Sequence, residues 1–513
     1  MSQATVQVGT GPVSEEDLVA VARHGAPVEL TEEARRAVAT SRARIEDLAN
    51  NPTPVYGVST GFGALASRHI PTELRAQLQR SLIRSHAAGS GPEVEREVVR
   101  ALMLLRLSTL ATGRTGVRLE VAETYAAVLS AGITPIVHEY GSLGCSGDLA
   151  PLAHVALALI GEGTVRDHRG QALEASQALE AAGIEPVVLA EKEGLALING
   201  TDGMLGQLVL ALADLDQLTR LADIAAAMSV EALLGTDRVF AADLQALRPH
   251  PGQAAAAANM TDILAKSQVV LSHREVCGIV QDAYSLRCAP QVAGAVRDTA
   301  AHARSVAARE LASAVDNPVV TPDGRVESNG NFHGAPVAYV LDFLAIATAD
   351  LAGISERRTD RMLDPARSHG LPAFLADDPG VDSGHMIAQY TQAAIVSELK
   401  RLAVPASVDS IPSSAMQEDH VSMGWSAARK LRRSIDGLRR VISIEILTAA
   451  RALDLRAPLE PAPATAAVKS VLREHVEGPG TDRYLAPEIE AVVQLAVSGE
   501  LVAAAERITG TLR

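Results

Sequence analysis

Aromatic side chains are scarce in this chain: five Phe, seven Tyr and one Trp among 513 residues. With so little aromatic bulk, small aliphatics carry the interior, Ala above all, which favours close-packed helices over sheets. Cysteine is rarer still. Cys145, Cys277 and Cys288 show neither a disulfide framework nor the spacing of a metal site. HExxH and Cys-x-x-Cys are both missing and the fourteen His are scattered, so no metal is expected. Positive charge is in deficit, 46 Lys and Arg against 61 Asp and Glu. The net charge of −15 argues against nucleic acid and against an anionic membrane surface. The most apolar long stretch, Ala338 to Ile354, still contains Asp342 and Asp350 and reads as a buried helix rather than a membrane span. The first residues, MSQATVQVGTGPVSEED, show no basic region followed by an apolar one. No signal peptide and a cytoplasmic location are therefore expected.

What is present is mostly helical pattern. Hydrophobic residues make up 47%, enough for a large core divided over two or three subdomains. Ser14 and Thr31 stand as caps before the acidic first turns of SEEDLVAVARHG and TEEARRAVATSRARIEDLAN. NPTPVYGVSTGFGALASRHI, rich in Pro, Gly and Ser, reads as a mobile loop. Its GFGALA fits a dinucleotide fingerprint only loosely, with no convincing βαβ unit behind it. Small β pieces are expected only around GTVRD and EPVVLA. From Gly203 onward the pattern is helical, with Leu208, Leu212, Leu215 and Ala222 on one face. Further helices are expected at about 260–310, 333–360, 385–403, 422–455 and 490–510. The fold class is mainly α with minor β: a loop-rich N-terminal part over 1–202 and a long central helix bundle over 203–513.

The stretch GSLGCSGDLAPLAH, Gly141 to His154, holds the most pointed chemistry. Gly147 has no side chain, so its amide nitrogen can approach the carbonyl carbon of Cys145. Attack there closes a five-membered ring. Loss of water from the ring and from Ser146 leaves an exocyclic C=CH2, a methylidene-imidazolone (MIO) electrophile. Asp148 is placed to cap the helix that follows, whose positive end would strengthen the electrophile. The same string can be a tight loop before a capped helix, and the tripeptide alone favours that. A hydrolase elbow is excluded, because G-x-S-x-G needs Gly where Asp148 stands.

The whole stretch resembles the MIO signature of the aromatic amino-acid ammonia-lyase family, whose common form has Ala where this chain has Cys145. YGVSTGFG (56–63), SHAAGSG (85–91), KEGLALINGT (192–201), RPHPGQ (248–253), QDAYSLRCAPQ (281–291), DNP (316–318), GNFHG (330–334) and SSAMQEDHVSM (413–423) resemble further family blocks in family order. Among the branches, QDAYSLRC, SHAAG and QEDHVSM are most similar to the histidine-specific one, its actinobacterial members above all. The implied fold is that of the aromatic ammonia-lyases, similar to fumarase and aspartase.

The resemblance implies roles residue by residue. Cys145, Ser146 and Gly147 form the MIO, with no metal or dissociable cofactor. Tyr56 is the base for the β-proton, which demands surroundings that favour phenolate, since an ordinary phenol has a pKa of about 10. Tyr284 assists near the MIO. Arg287 clamps the substrate carboxylate through two parallel bonds. Asn199 and Gln281 supply neutral amides, and Phe332 packs beside the substrate. His86, Gln417 and Glu418 set substrate choice. His86 also suits a phenol, so Glu418, able to meet an imidazole nitrogen, decides for histidine. Asp148 is expected to assist proton movements during ring closure. His385 is expected either to line the site or to cap a helix.

The activity this implies is carbon–nitrogen lysis of L-histidine to trans-urocanate and ammonia, the first step of histidine breakdown. The implied assembly is a homotetramer with shared sites, the loops of Tyr56 and His86 coming from neighbours of the subunit bearing the MIO. Two alternatives stay open: an MIO enzyme for tyrosine, lyase or 2,3-aminomutase, and a helical paralogue whose Cys-Ser-Gly never cyclises.

Overall fold

The computed structural model describes residues 4–49, 57–61, 68–274 and 280–513. Tyr56, Cys277 and most of GFGALA lie outside them. The chain is mostly helical and divides into two compact units. One comprises Met1–Leu210, Ala303–Asp342 and Pro405–Arg429; the other comprises Ala211–His302, Phe343–Val404 and Lys430–Arg513. The units follow packing rather than chain order, and their first boundary falls inside the helix Asp202–Ala232.

In the first unit the expected caps form. Ser14 Oγ accepts from Asp17 N at the start of Glu15–His24, and Thr31 Oγ1 accepts from Ala34 N at the start of Glu32–Ala49. The helix Arg96–Ala111 is buried along almost its whole length, including Arg100 and Arg106. The strand expected at GTVRD is Thr164–Arg166, antiparallel to Thr134–Pro135 and to Ala172–Glu174. EPVVLA forms no strand; Val187 N donates to Leu159 O, and Val188 O accepts from Arg118 Nη2. Other short pairs form where none was expected. Val6–Val8 runs parallel to Val28–Leu30, Ser90–Glu93 antiparallel to His138–Tyr140, and Val319–Val320 antiparallel to Val326–Glu327.

In the second unit the region expected as one helical span at 260–310 is broken into Pro251–Leu264, Gln268–Leu271, Tyr284–Arg287 and Ala289–Leu311. The span expected at 490–510 is two helices, Leu485–Ser498 and Glu500–Thr509, parted by Gly499 at φ 81°. Glu445, fully buried, accepts from Ser229 Oγ, Ser355 Oγ and Arg358 Nη2 at 2.6 to 2.8 Å. His385 stands at the start of Met386–Leu402 without capping it; its buried ring meets Thr448 Oγ1 at 3.2 Å. Burial pushes its pKa down to about 3.

The helix Ala335–Leu363 is long and apolar enough to cross a membrane, but most of its apolar window is buried within the chain. Asp342 on it is 1% exposed and accepts from Ser407 N at 2.8 Å.

Candidate active site

Cys145-Ser146-Gly147 is a tight turn in the first unit, running from Gly144 to Asp148. Ser146 (φ 45°) and Gly147 (φ 82°) both lie in the left-handed region, and Gly144 pairs with Gly147 across the turn. Gly147 also pairs with Gly200, whose carbonyl accepts from Asp148 N at 2.7 Å. A Cβ on Gly147 would lie 1.9 Å from Gly200 O, so the position admits only glycine. These residues fit a ring closed between Cys145 and Gly147: the attacking nitrogen carries no side chain, and the backbone is already bent back on itself.

Asp148 departs from its expected role. It stands before the helix Leu149–Leu159 but makes no side-chain bond to it. Its carboxylate instead accepts from Ser142 Oγ (3.0 Å) and from Met204 N (2.9 Å), in the first turn of Asp202–Ala232. Complete burial nevertheless raises its pKa to about 7, against the pull of those donors. Beside it stands Trp425, whose Nε1 donates to Glu139 O at 2.7 Å. A Cβ on Gly203 would meet the Trp425 ring at 2.5 Å and Asp148 Oδ2 at 3.0 Å.

A cavity of about 460 Å³ opens on the turn, lined by Cys145, Ser146, Phe332, His333, Gln417 and Glu418 among others. Glu418 belongs to a strained hairpin. Ser413 and Glu418 exchange backbone bonds (3.0 and 3.3 Å), and between them Ser414, Ala415 and Met416 all have positive φ (50°, 52° and 69°). Such backbone in non-glycine residues costs of order 1–3 kcal/mol each and gathers at functional sites. Ser413 Oγ also donates to Glu418 Oε2 at 3.0 Å and lies 3.5 Å from Cys145 Sγ. Burial pushes the Cys145 thiol up.

His86, half-buried, sets Nδ1 2.9 Å from Leu82 O. A carbonyl can only accept, so the neutral ring carries its proton on Nδ1 and offers Nε2 as an acceptor. Burial lowers the His86 pKa, outweighing the Leu82 carbonyl and the Glu418 charge, which favour the cation. Asn199, 2% exposed, donates Nδ2 to Asn317 O at 2.8 Å, while its Oδ1 is buried without a partner among the described residues.

One guanidinium braces this wall. Arg106, fully buried, donates to Ala196 O and Asn199 O (both 3.0 Å), to Asp202 Oδ2 (2.7 Å) and to Val315 O (3.2 Å). Asp202, directly after NGT, is thus the counter-ion of an Arg set in an apolar helix. Nearby in sequence, Lys192 and Asp316 form a second fully buried pair at 2.5 Å.

The model of the family described as "Aromatic amino acid lyase" matches residues 13–474. Histidine ammonia-lyase of Streptomyces coelicolor is 68% identical over 510 residues, covering 99% of this chain and all of that one. The chain belongs to the aromatic amino acid lyase family. Among solved structures, a tyrosine aminomutase from Streptomyces globisporus superposes with a TM-score of 0.93 at 39% identity, covering 99% of this chain and all of that one. Histidine ammonia-lyase from Trypanosoma cruzi gives 0.91 at 38% identity, covering 98% and 96%.

In this aromatic amino acid lyase the first unit brings together Cys145, Ser146, Phe332, Gln417 and Glu418 around one cavity, with Asn199 next to Gly200. Gln281, Tyr284 and Arg287 lie in the second unit. Tyr284 is 71% exposed, the Arg287 guanidinium sits 4.6 Å from its ring centre, and Arg287 Nε is buried without a partner among the described residues. Tyr56 lies outside the described residues. Asn317, Ser328, His333, Asp419 and His420 also line the cavity and were not singled out. All five stand in or beside the DNP, GNFHG and SSAMQEDHVSM blocks, so a signal for them was in the sequence. His333 and His420 stack in parallel, 5.6 Å apart. Among the described residues no cluster of His, Cys, Asp and Glu is fit to hold a metal ion.

Proposed function

We propose that this chain removes ammonia from L-histidine to give trans-urocanate, using an MIO electrophile formed from Cys145, Ser146 and Gly147. The observation that carries the reading is the cavity that joins Cys145 and Ser146 to Gln417 and Glu418. The names of the full-length relatives support the substrate.

Ring closure needs the Gly147 nitrogen to attack the Cys145 carbonyl carbon and two waters to leave, one carrying the Ser146 hydroxyl. Asp148, with a pKa of about 7, is suited to accept and return a proton in that step. The electrophile, once formed, makes the substrate amine a better leaving group. Tyr56 as phenolate takes the β-proton; the Cα–N bond breaks with its electron pair on nitrogen, and the Cα=Cβ bond of urocanate forms. Arg287 grips the carboxylate, Asn199 and Gln281 offer amides to it and to the ring, and Tyr284 assists the proton transfers. Glu418 and the Nε2 acceptor of His86 meet the imidazole, while Gln417 and Phe332 close the wall.

The assembly proposed is a cytoplasmic homotetramer with shared sites. Tyr339, Phe343 and Ile346, about half exposed on the helix Ala335–Leu363, suit burial against further copies.

A second reading, a tyrosine lyase or aminomutase, is favoured by the 0.93 superposition on a tyrosine aminomutase. The test is an ultraviolet time course with L-histidine, L-tyrosine and L-phenylalanine in parallel. Urocanate from histidine alone is expected. Coumarate or a β-amino acid from tyrosine would replace the substrate reading. No product, with an intact mass not two waters below the gene-encoded value, would overturn the MIO as well.

A further inference from the structure

Ring closure uses only the carbonyl of Cys145, yet its thiol is half-buried in the cavity, 3.5 Å from Ser413 Oγ. Ser413 in turn donates its hydroxyl proton to Glu418 Oε2 at 3.0 Å. A hydroxyl has one proton, so toward Cys145 the Ser413 oxygen can only accept, and the thiol S–H is the donor. The order of donation is therefore Cys145 to Ser413 to Glu418. The backbone holds the same pair, because Ser413 and Glu418 exchange both main-chain bonds across the left-handed residues Ser414, Ala415 and Met416. Ser413 thus engages Oε2, and the Cys145 thiol also stands close enough to the Glu418 carboxylate to interact with it directly.

We propose that Ser413 is a positioning residue that determines specificity: it fixes the Glu418 carboxylate for the substrate imidazole, and the Cys145 thiol anchors it from the electrophile's own turn. This rests on the histidine reading above. It gives the side chain at 145 a function separate from ring closure. A carboxylate on a glutamate stem has three rotatable bonds, and one engaged oxygen removes most of that freedom before substrate arrives.

The test compares the parent with Ser413→Ala, Ser413→Thr, Cys145→Ala, Cys145→Ser and the double variant Cys145→Ala/Ser413→Ala, all as the full chain. Intact mass comes first, to show that the ring has formed in each. A parent that has no ring or makes no urocanate overturns the earlier reading, independently of Ser413. Given an active parent, Ser413→Ala is expected to raise KM for L-histidine about tenfold, the loss of one charge-assisted bond, with kcat altered less than about threefold. Inhibition by free imidazole is expected to weaken by the same factor. Ser413→Thr, which keeps the hydroxyl, restores both. Cys145→Ala is expected to raise KM about twofold to threefold in the parent and to add nothing in the Ser413→Ala background, the mark of one coupled chain. The proposal is overturned if mature Ser413→Ala keeps the parent's KM and imidazole inhibition, or if the Cys145→Ala effect persists undiminished in the double variant. If Ser413→Ala does not mature, Cys145→Ser decides: it must return KM to the parent value where Cys145→Ala does not.

Discussion

Position 147 is where the chain is least forgiving. Its left-handed φ and the 1.9 Å approach of Gly200 O leave no room for a methyl group. Gly147→Ala is expected to cost on the order of 3 kcal/mol, from overpacking and left-handed backbone together, and to block ring closure. A lowered melting temperature and an intact mass heavier than the parent's by two waters beyond the added CH2 would check both. Glu418→Gln keeps the shape and removes the charge. It is expected to lower kcat/KM for histidine about a hundredfold, because buried polar groups of the site and substrate lose a partner. Comparing both chains on histidine and tyrosine checks the expectation, since a tyrosine enzyme would be far less affected. Asp148 links the site to pH. Its pKa is raised by burial from about 3.8 to about 7, so the folded state holds the proton more tightly than the unfolded state does. The stability this contributes is complete below about pH 4 and is lost as pH rises through about 7. Melting temperatures at pH 5 and pH 8 should therefore diverge more in the parent than in Asp148→Asn. The other buried acids titrate in both chains, so the difference between them isolates Asp148.

Among the elements, helices with ordinary ends were legible and unusual backbone was not. Ser14 and Thr31 announced their helices because a hydroxyl before acidic residues satisfies otherwise open N–H groups. The helix Asp202–Ala232 was foreseen from a one-sided stripe through Leu208, Leu212, Leu215 and Ala222, but it is buried nearly all round. Periodicity finds such a helix and understates its burial, since Ala and Gly on the other faces score as weakly apolar. EPVVLA has the composition of a strand and lacks a pairing partner, which composition cannot supply. The left-handed run at Ser414–Met416 carries no glycine to mark it. Arg106 did leave a mark, as a charge amid LMLLRLSTL, and the structure shows it bracing the segment that faces the reactive turn. Arg106→Leu would strand the Asp202 carboxylate and several carbonyls, and is expected to cost about 3–5 kcal/mol in denaturant unfolding. Arg106→Leu with Asp202→Leu should recover part of that loss.

For the whole molecule, the family blocks gave the cavity residues Phe332, Gln417 and Glu418 together with the turn, because each block is a short local string. The division into packing units was not legible: Gln281, Tyr284 and Arg287 fall in a different compact unit from Cys145, and chain order does not encode that division. Nor did the blocks show Ser413 bonded to Glu418, because that bond depends on three unusual backbone angles. The proposed sharing of sites between copies has a direct test. Tyr56→Phe and Ser146→Ala chains, each inactive alone, should regain activity when refolded or co-expressed together, up to about a quarter of parental activity if defects segregate randomly between two contributing subunits. Activity that never returns would assign Tyr56 and Ser146 to the same chain's site.

Trp425 is the chain's single tryptophan, nearly inaccessible to solvent, and the ring crowds Gly203 beside the Asp148 carboxylate. Excited at the red edge of indole absorption, the protein therefore has one emitter, located behind the reactive turn. On the ring closure proposed above, each copy carries an internal optical probe of its own maturation. As Cys145, Ser146 and Gly147 change from peptide to conjugated ring, the quenching environment of a single fluorophore changes with them. Newly synthesised chains could thus be followed in real time, unlabelled and without substrate.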